Sequence, residues 1–488
     1  MDNIINKYFS AERLFLLLFL CFVFIFFYIF YSFIHPLIPI DLDDWRYLVR
    51  NRLFMPIWGE GNPAKIMPEF LYPFISAIGI YTIFPITKDF IFTLTIVHSI
   101  FISLCMTGYT YMFIRLLKKR FSVSNSHSLL FTILFLLFHF LMFRTQESEN
   151  VYMFYAIDLN CFYNYTLPNI LCASIVISLL TSDWLSKEFN PSLKSAIVIL
   201  ILYLALFSNL YSSIILMSYI FVDIMLSYYN NVKEKNRIIV FIKTNKYKFS
   251  LIIIWLFVHL FEANGARASA SWTNAEPLPE SILKAFMCIF EINISYQFVA
   301  LSVLLFITLV VMIKKQVFRI NNFKLFFSSV LCICYSVLLS AKVLPQYILR
   351  PEVNYSFIFY FVLIVSCILV KIYSIYPKTI NILPILSLLI YSFINRTSPT
   401  FSNLWREYDF ATLKTVIEKN TSDIIHADKC RKDTVYIIVP TVSQEDRWMF
   451  SDGVNYNNIL YKYGIIKHNI HIVMKEGDKI PKKFSTLN

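Results

Sequence analysis

Charged residues are scarce in this chain. Asp, Glu, Lys and Arg make up 15% of its 488 residues, whereas hydrophobic residues make up 57%. Soluble globular proteins carry about 25% charged residues, and a soluble chain of this length could not cover its surface with so few. The composition therefore excludes an ordinary soluble protein and indicates a membrane protein, in agreement with the mean hydropathy of +0.60.

Glycine is scarce as well, with eight residues in the whole chain. This argues against a loop-rich β architecture, and also against a nucleotide-binding fold with a glycine-rich phosphate turn. The apolar segments that are present form long continuous runs. Such runs suit α-helices that cross a hydrocarbon core of about 30 Å.

Eleven apolar runs predict about eleven transmembrane helices. They cover residues 14–34, 89–116, 128–143, 166–182, 195–211, 213–229, 249–262, 296–313, 325–341, 355–372 and 379–394. The connection after every second run is basic, as in Lys118-Lys119-Arg120, and the others are rich in aromatic and acidic residues. The positive-inside rule therefore predicts a cytoplasmic N-terminus and an extracytoplasmic C-terminal tail. The positive-inside rule also explains much of the net charge of +13 by basic cytoplasmic loops, so a role in nucleic-acid binding is not needed to account for that charge.

Residues 70–85 decide this topology. The segment is apolar, but it is short and interrupted by Pro73. Counting it as a span would invert every later loop and place the basic connections outside. We therefore predict a re-entrant or interfacial helix here, packed under the first outer loop. The first run, 14–34, is too long for a signal peptide and lacks a small-residue cleavage site, so it is expected to remain as a helix.

The tail, residues 395–488, differs in composition from the rest. A helix is predicted over 404–419, with strands over 433–440 and 468–474 and a polar, turn-rich stretch between them. The predicted fold is thus an all-α polytopic membrane domain over residues 1–394, with about eleven spans and the re-entrant helix. A small extracytoplasmic α/β domain over 395–488 follows it.

Three carboxylates, Asp41, Asp43 and Asp44, lie within four residues after the first membrane helix, followed by Trp45 and Arg46. Their mutual repulsion and partial desolvation should raise the pKa of at least one toward that of a useful general base, or the cluster could bind a cation. The alternative is a solvated loop whose acids only repel anionic lipid. Two further acids of the same loop could line the same cavity, namely Glu60 and Glu69.

The second outer loop, residues 144–167, combines carboxylates with aromatic residues. Aromatic rings can stack on the apolar face of a sugar while acids accept its hydroxyl groups, although an aromatic run beside a span is equally typical of an interfacial belt. The polar and aromatic residues of interest here are Glu147, Glu149, Asp158, Asn160, Tyr163 and Asn164.

Cations in the third and fourth outer loops are not explained by the positive-inside bias. The third loop contains Asn264-Gly265-Ala266-Arg267 and then Trp272, and the fourth contains Lys342 and Arg350. Guanidinium groups bind phosphate oxygens in a fixed geometry. We therefore predict Arg267 and Arg350 as phosphate ligands, supported by Lys342 and Asn264. Simple ion pairs with Glu262 and Glu352 are the alternative.

Several of these features together resemble a known family. Asp43-Asp44-Trp45 directly after the first membrane helix, the Asn264-Gly265-Ala266-Arg267 element, the many spans and the outward tail resemble GT-C type glycosyltransferases that use polyprenyl-phosphate sugars. The chain looks most similar to the bacterial and phage O-antigen glucosyltransferases that cause serotype conversion. Asp41 departs from the paired-acid pattern, so the resemblance leaves open which acid is the base.

The resemblance implies an inverting transfer of a hexose, with glucose expected, from undecaprenyl-phosphate sugar to O-antigen polysaccharide. The reaction would occur on the periplasmic side of the bacterial inner membrane, without a metal or cofactor. Asp44 or Asp43 would act as base, and Arg267 with Arg350 or Lys342 would stabilise the leaving phosphate. The expected acceptor contacts are Trp45, Arg46, Glu60, Glu69, Glu147, Glu149, Asp158, Tyr163, Asn164 and Trp272.

Two other functions remain open from the sequence. An O-antigen polymerase would use outer-loop arginines without an acid after the first helix. A transporter or flippase would place charges or broken helices at the membrane midplane and would show repeated halves. In this chain Asp223 lies near an inner helix end, and no second half resembles the first.

Overall fold

Helices dominate the architecture. The computed structural model describes residues 11–39, 42–50, 52–60, 62–143, 152–156, 158–187, 190–231, 237–269, 276–296, 298–299, 302–303, 324–375, 410–439 and 453–476. The helices of the first half are α1 (Ala11–Ile29), α2 (Leu42–Val49), α3 (Tyr72–Thr82), α4 (Phe90–Arg120), α5 (Asn125–Leu141), α6 (Leu167–Thr181), α7 (Leu193–Leu206) and α8 (Leu210–Asn231). The later helices before the tail are α9 (Arg237–Thr244), α10 (Lys246–Ala263), α11 (Leu278–Glu291), α12 (Lys324–Val343) and α13 (Pro351–Ile375).

Six helical segments among the described residues are long and apolar enough to cross a membrane. They are Glu12–Ile34, Phe90–Arg120, Leu159–Thr181, Leu210–Tyr229, Lys324–Val343 and Pro351–Ile375. Helices α5 and α7 are apolar but shorter. The predicted multi-pass helical membrane protein is confirmed at this level. The count of eleven spans stays a prediction, since the runs at 296–313 and 379–394 lie wholly or mostly outside the described residues.

Residues 70–85 fold back on the start of α4. They form part of a π-helical turn, Met67–Leu71, then α3 and a short helix, Phe84–Thr87. Ser76 in α3 bonds to His98 in α4 (2.9 Å), whereas Phe84 contacts Phe90, so α3 runs antiparallel to the first turns of α4. The Ser99 hydroxyl donates to the carbonyl of Tyr31 (2.8 Å). The whole segment therefore lies at the end of the bundle where the helix that starts with α1 ends.

A glycine permits this close packing. A Cβ atom on Gly79 of α3 would lie 2.6 Å from the Val97 Cγ1 atom of α4, well inside van der Waals contact. By contrast, a Cβ atom on Gly108, further along α4, would meet nothing within 4 Å. Gly79 thus sets the distance between the two helices.

A buried cluster of charges ties the helices together at the opposite end of the bundle. The Lys248 ammonium group of α10 contacts Asp183 (2.8 Å) and Asp223 (2.5 Å), and its side chain is only 3% exposed. Lys324, the first residue of α12, pairs with Asp223 of α8. Asp183 follows the C-terminus of α6, so four segments meet here. Paired charges of this kind are tolerated in a low-dielectric interior because each has its partner.

The tail forms a βαβ arrangement. Helix α14 (Phe410–Lys429) precedes strand β1 (Thr434–Val439), helix α15 (Gly453–Lys462) and strand β2 (His471–Glu476). The two strands pair in parallel, with Thr434 opposite His471 and Val439 opposite Glu476. We refer to residues 410–439 and 453–476 as the C-terminal unit. Its buried apolar residues belong to one cluster with those of the helical part.

The strands lie close to the predicted positions, but the helices differ. The helix predicted at 404–419 continues to Lys429, where Ile424 and Ala427 extend its buried face. The stretch between the strands was predicted as polar and turn-rich, but it contains α15. Its buried apolar residues among the described side chains are Tyr456, Ile459 and Leu460, too short a pattern among asparagines to predict a helix.

Candidate functional site

Helix α2 presents the acidic pair. Asp43 and Asp44 lie in its first turn, where the helix dipole favours negative charge. Asp44 is fully buried, and its Oδ1 atom accepts the backbone N–H of Asn160 at 2.6 Å. A hydrogen bond to a carboxylate over this distance is strong, so it fixes the first outer loop to the second. Asp41 lies outside the described residues.

Asp158 completes an acidic cluster. Its Oδ1 atom accepts the backbone N–H of Cys161 (2.5 Å) and so caps the short helix Leu159–Cys161. Burial raises the pKa of the Asp158 carboxyl to about 6. The negative charge of Asp43 raises this pKa further, whereas the bond from Cys161 and the charge of Arg350 lower it. Asp158 thus lies within electrostatic reach of both the acidic pair and a guanidinium group.

Arg350 provides the positive charge of the site. Its Nε atom donates to the Glu352 Oε1 atom (2.8 Å), and its Nη2 atom pairs with the same oxygen. The guanidinium carbon lies 5.3 Å from the centre of the Tyr165 ring and 5.2 Å from that of Tyr347, within the range of cation–π attraction. The Arg350 side chain is still 30% exposed. The ion pair with Glu352 considered from the sequence is therefore present, and part of the cation remains accessible.

Asn160, a residue of interest in the second loop that had no predicted role, also belongs to this site. Its backbone N–H holds Asp44, while its own side-chain Oδ1 atom is buried and has no hydrogen-bond partner among the described residues. A buried acceptor without a partner is uncommon and calls for an explanation. Asn160 also holds Asp44, and a hydroxyl group of a ligand could satisfy its free acceptor.

Three π-helical turns flank the cluster in the chain. They are Phe30–Ile34 at the end of the first span, Met67–Leu71 before α3, and Phe162–Thr166 directly after the Asp158 cap. Such turns are rare and occur frequently at functional sites. Tyr72, the residue that follows the second turn, donates its hydroxyl to the backbone carbonyl of Asp44 (3.3 Å). No residue pattern in the sequence predicts these turns.

Three predicted sugar contacts have structural partners inside the protein instead. Glu69 forms a buried ion pair with Arg52 (2.7 Å), which holds the first loop together. Tyr163 is fully buried, and its hydroxyl bonds to the His98 ring (2.8 Å). Trp45 is buried against the Tyr456 ring of the C-terminal unit. These contacts give each side chain a structural role, and the assignment of the three residues as acceptor contacts stays a prediction.

The segment from Glu262 to Arg267 contacts the loop that follows α2. The backbone N–H of Ala266 donates to the Glu60 carbonyl (3.1 Å), and the Glu262 carboxylate accepts the Ala64 N–H (3.1 Å). A Cβ atom on Gly265 would lie 2.9 Å from Pro63. The Asn264–Arg267 element therefore adjoins the loop that carries the acidic pair, as the predicted shared site requires.

The remaining predicted residues fall into two groups. Five of them are described, and four of these five have exposed side chains, namely Arg46, Glu60, Asn264 and Lys342. Asn164 is buried, and its Oδ1 atom accepts a bond from Asn209 (3.3 Å). The others lie outside the described residues, namely Glu147, Glu149, Trp272 and the side chain of Arg267.

In the described part of the chain, no three His, Cys, Asp or Glu side chains are arranged to hold a metal ion. Comparisons with protein-family models, with curated proteins and with solved structures gave no match for this chain. The functional argument therefore rests on the site itself, in which Asp158 lies within electrostatic reach of both Asp43 and Arg350, and Asp44 is bonded to Asn160.

Proposed function

We propose that this protein is a membrane glycosyltransferase that transfers a hexose from a polyprenyl-phosphate sugar to a polysaccharide hydroxyl. The observation that carries the proposal is the grouping of Asp43, Asp44 and Asp158 with Arg350. Carboxylates for the acceptor proton and a cation for the leaving phosphate are the two requirements of this reaction. The apolar helices indicate a bilayer environment, and the polyprenyl tail of the donor would lie in that bilayer.

Asp43 is the better base of the pair. Asp44 is fully buried, and its carboxylate accepts the Asn160 N–H, so it is less accessible to an acceptor hydroxyl. Asp43 is partly exposed, next to Asp158. In the proposed step Asp43 takes the acceptor hydroxyl proton, and the hydroxyl oxygen forms a bond to the anomeric carbon. The bond from that carbon to the phosphate oxygen breaks, so the anomeric configuration inverts.

Arg350 stabilises the polyprenyl monophosphate that leaves. Tyr165 and Tyr347 orient its guanidinium group from two sides, while Glu352 holds two of its nitrogens. Such fixed charges act most strongly where water is excluded. Arg267, whose backbone adjoins the first loop, is the second proposed phosphate ligand, and the exposed Arg46 and Glu60 are proposed acceptor contacts.

The finer assignment follows the family resemblance. We propose undecaprenyl-phosphate glucose as the donor and O-antigen as the acceptor, on the periplasmic face of a bacterial inner membrane. The N-terminus would lie in the cytoplasm, and the C-terminal tail would lie in the periplasm.

The test is mass spectrometry of the surface polysaccharide from cells that express the wild type, Asp43→Asn, Asp44→Asn or the control Glu280→Gln. Loss of a positioned base lowers a rate by about 100-fold or more, so Asp43→Asn should abolish added hexose. Glu280 is an exposed carboxylate on α11, and its variant should behave as the wild type. Full modification by both aspartate variants, at equal amounts of protein in the membrane, would refute the proposal.

A further inference from the structure

The C-terminal unit contacts the helix that carries the acidic pair. The Lys462 ammonium group, at the end of α15, donates to the backbone carbonyls of Leu48 (3.1 Å) and Val49 (3.0 Å). These carbonyls belong to the last turn of α2, where no intrahelical donor follows. A cation at this position both satisfies the carbonyls and complements the negative end of the helix dipole.

A second contact lies next to the acids themselves. The Trp45 ring, one residue after Asp44, lies 4.5 Å from the ring of Tyr456 in α15. The Tyr456 hydroxyl bonds to Thr421 and donates to the Ile417 carbonyl (3.2 Å), both in α14. Hydrogen bonds within the C-terminal unit thus fix the position of the Tyr456 side chain that packs against Trp45.

Helix α2 needs this support because of its length. It has eight residues, and isolated helices shorter than about 12–15 residues are marginal in water. The orientation of α2 decides where the carboxylates of Asp43 and Asp44 point. Its N-terminal end is tied to Asn160 through Asp44, and its C-terminal end is tied to Lys462.

We propose that the C-terminal unit is a positioning element for the acidic pair, in which Lys462 caps α2 and Tyr456 fixes Trp45. The unit then acts on the reaction without touching the substrate. The consequence for catalysis rests on the proposed function, whereas the consequence for the order of α2 does not.

Hydrogen–deuterium exchange on the full-length protein in lipid nanodiscs tests the structural part. Lys462→Met removes the cap, and backbone amides of residues 42–49 should exchange about fivefold faster, the size expected for a cation at a helix C-terminus. Lys462→Arg should restore the wild-type rate. Lys432→Met, an exposed lysine of the same unit, is the matched control and should change nothing. Unchanged exchange over residues 42–49 in Lys462→Met overturns the proposal.

Exchange at β1 is followed in the same samples to detect general unfolding of the unit. If the amides of β1 also exchange faster in Lys462→Met, the experiment is repeated with Lys462→Gln. Glutamine keeps an N–H donor but lacks the charge. Faster exchange over residues 42–49 with β1 unchanged supports the cap. If Lys462→Gln accelerates amide exchange equally in residues 42–49 and in β1, the proposed capping role of Lys462 is contradicted.

The catalytic part is tested by transfer from undecaprenyl-phosphate glucose in membranes. A displaced catalytic group costs on the order of 100-fold in rate, so Lys462→Met should lower kcat strongly while the donor KM changes little, and Lys462→Arg should recover kcat. Full transfer by Lys462→Met, in a protein that needs Asp43, refutes the positioning role. If transfer does not need Asp43, the proposed function is refuted. The hydrogen–deuterium exchange result for α2 does not depend on that outcome.

Discussion

At the scale of single residues, Asp158 connects three parts of the site: a helix cap, the acidic pair and Arg350. Its folded pKa of about 6 lies above its usual value of 3.8, with burial as the main cause. A raised carboxyl pKa means that folding disfavours the ionised form. Stability is therefore greatest where Asp158 is protonated, and it falls as the pH rises from about 4 through 6.

Asp158→Asn should remove this pH dependence. Asparagine can still accept the Cys161 N–H, so the cap is retained, but it cannot ionise. Relative to the wild type, the variant should gain on the order of 1–3 kcal/mol of stability between pH 4 and pH 8. Thermal unfolding of both proteins in detergent at several pH values measures the difference. A difference that stays constant across this range would contradict the raised pKa.

The charged residues of the site could be predicted because charges in outward loops of such an apolar chain are conspicuous. Asp43, Asp44, Asp158 and Arg350 were all named on this ground, and their functional roles stay predictions. The ion pair of Glu69 with Arg52 was not predicted, because a sequence does not show which charges meet inside a loop. No role could be predicted for Asn160, because it holds Asp44 through its backbone N–H, a group that almost every residue has.

At the scale of elements, the pairing of α3 with α4 keeps residues 70–85 at one end of the bundle. Gly79→Ala should separate the two helices, because its Cβ atom would overlap Val97. Alanine favours a helix by about 1 kcal/mol over glycine, yet overpacking costs about 1–3 kcal/mol. We therefore expect a net loss of stability, measured as a lower Tm.

Two companion variants make this test specific. Val97→Ala combined with Gly79→Ala should recover part of the loss, since it removes the Cγ1 atom that the new methyl group meets. Gly108→Ala in α4 has open space and should be neutral or stabilising. Equal Tm losses for Gly79→Ala and Gly108→Ala would mean that the contact with Val97 is not responsible.

Long apolar elements could be predicted well from the sequence, and short amphipathic ones could not. The run at 89–116 appears as α4, and the run at 355–372 appears within α13. Helix α15 was missed because its few apolar residues pack on α2, a partner that is distant in the sequence. Local periodicity carries no information about such a partner.

At the scale of the whole molecule, the orientation of the bundle remains a prediction from its charges. Alkaline phosphatase fused after residue 58 should be active in a bacterial host, because the first outer loop is expected in the periplasm. A fusion after residue 122 should be inactive, because α4 returns the chain to the cytoplasm. Activity at residue 122 would mean that residues 70–85 cross the membrane.

The contact between Lys462 and Leu48 joins positions 414 residues apart. Ribosomes add about 5–20 residues per second, so about 20–80 s pass between the synthesis of α2 and that of its cap. The membrane helices between them are made during this interval. The acidic pair therefore acquires its final support only after those helices exist, and a partly synthesised chain would carry the acids without a formed site.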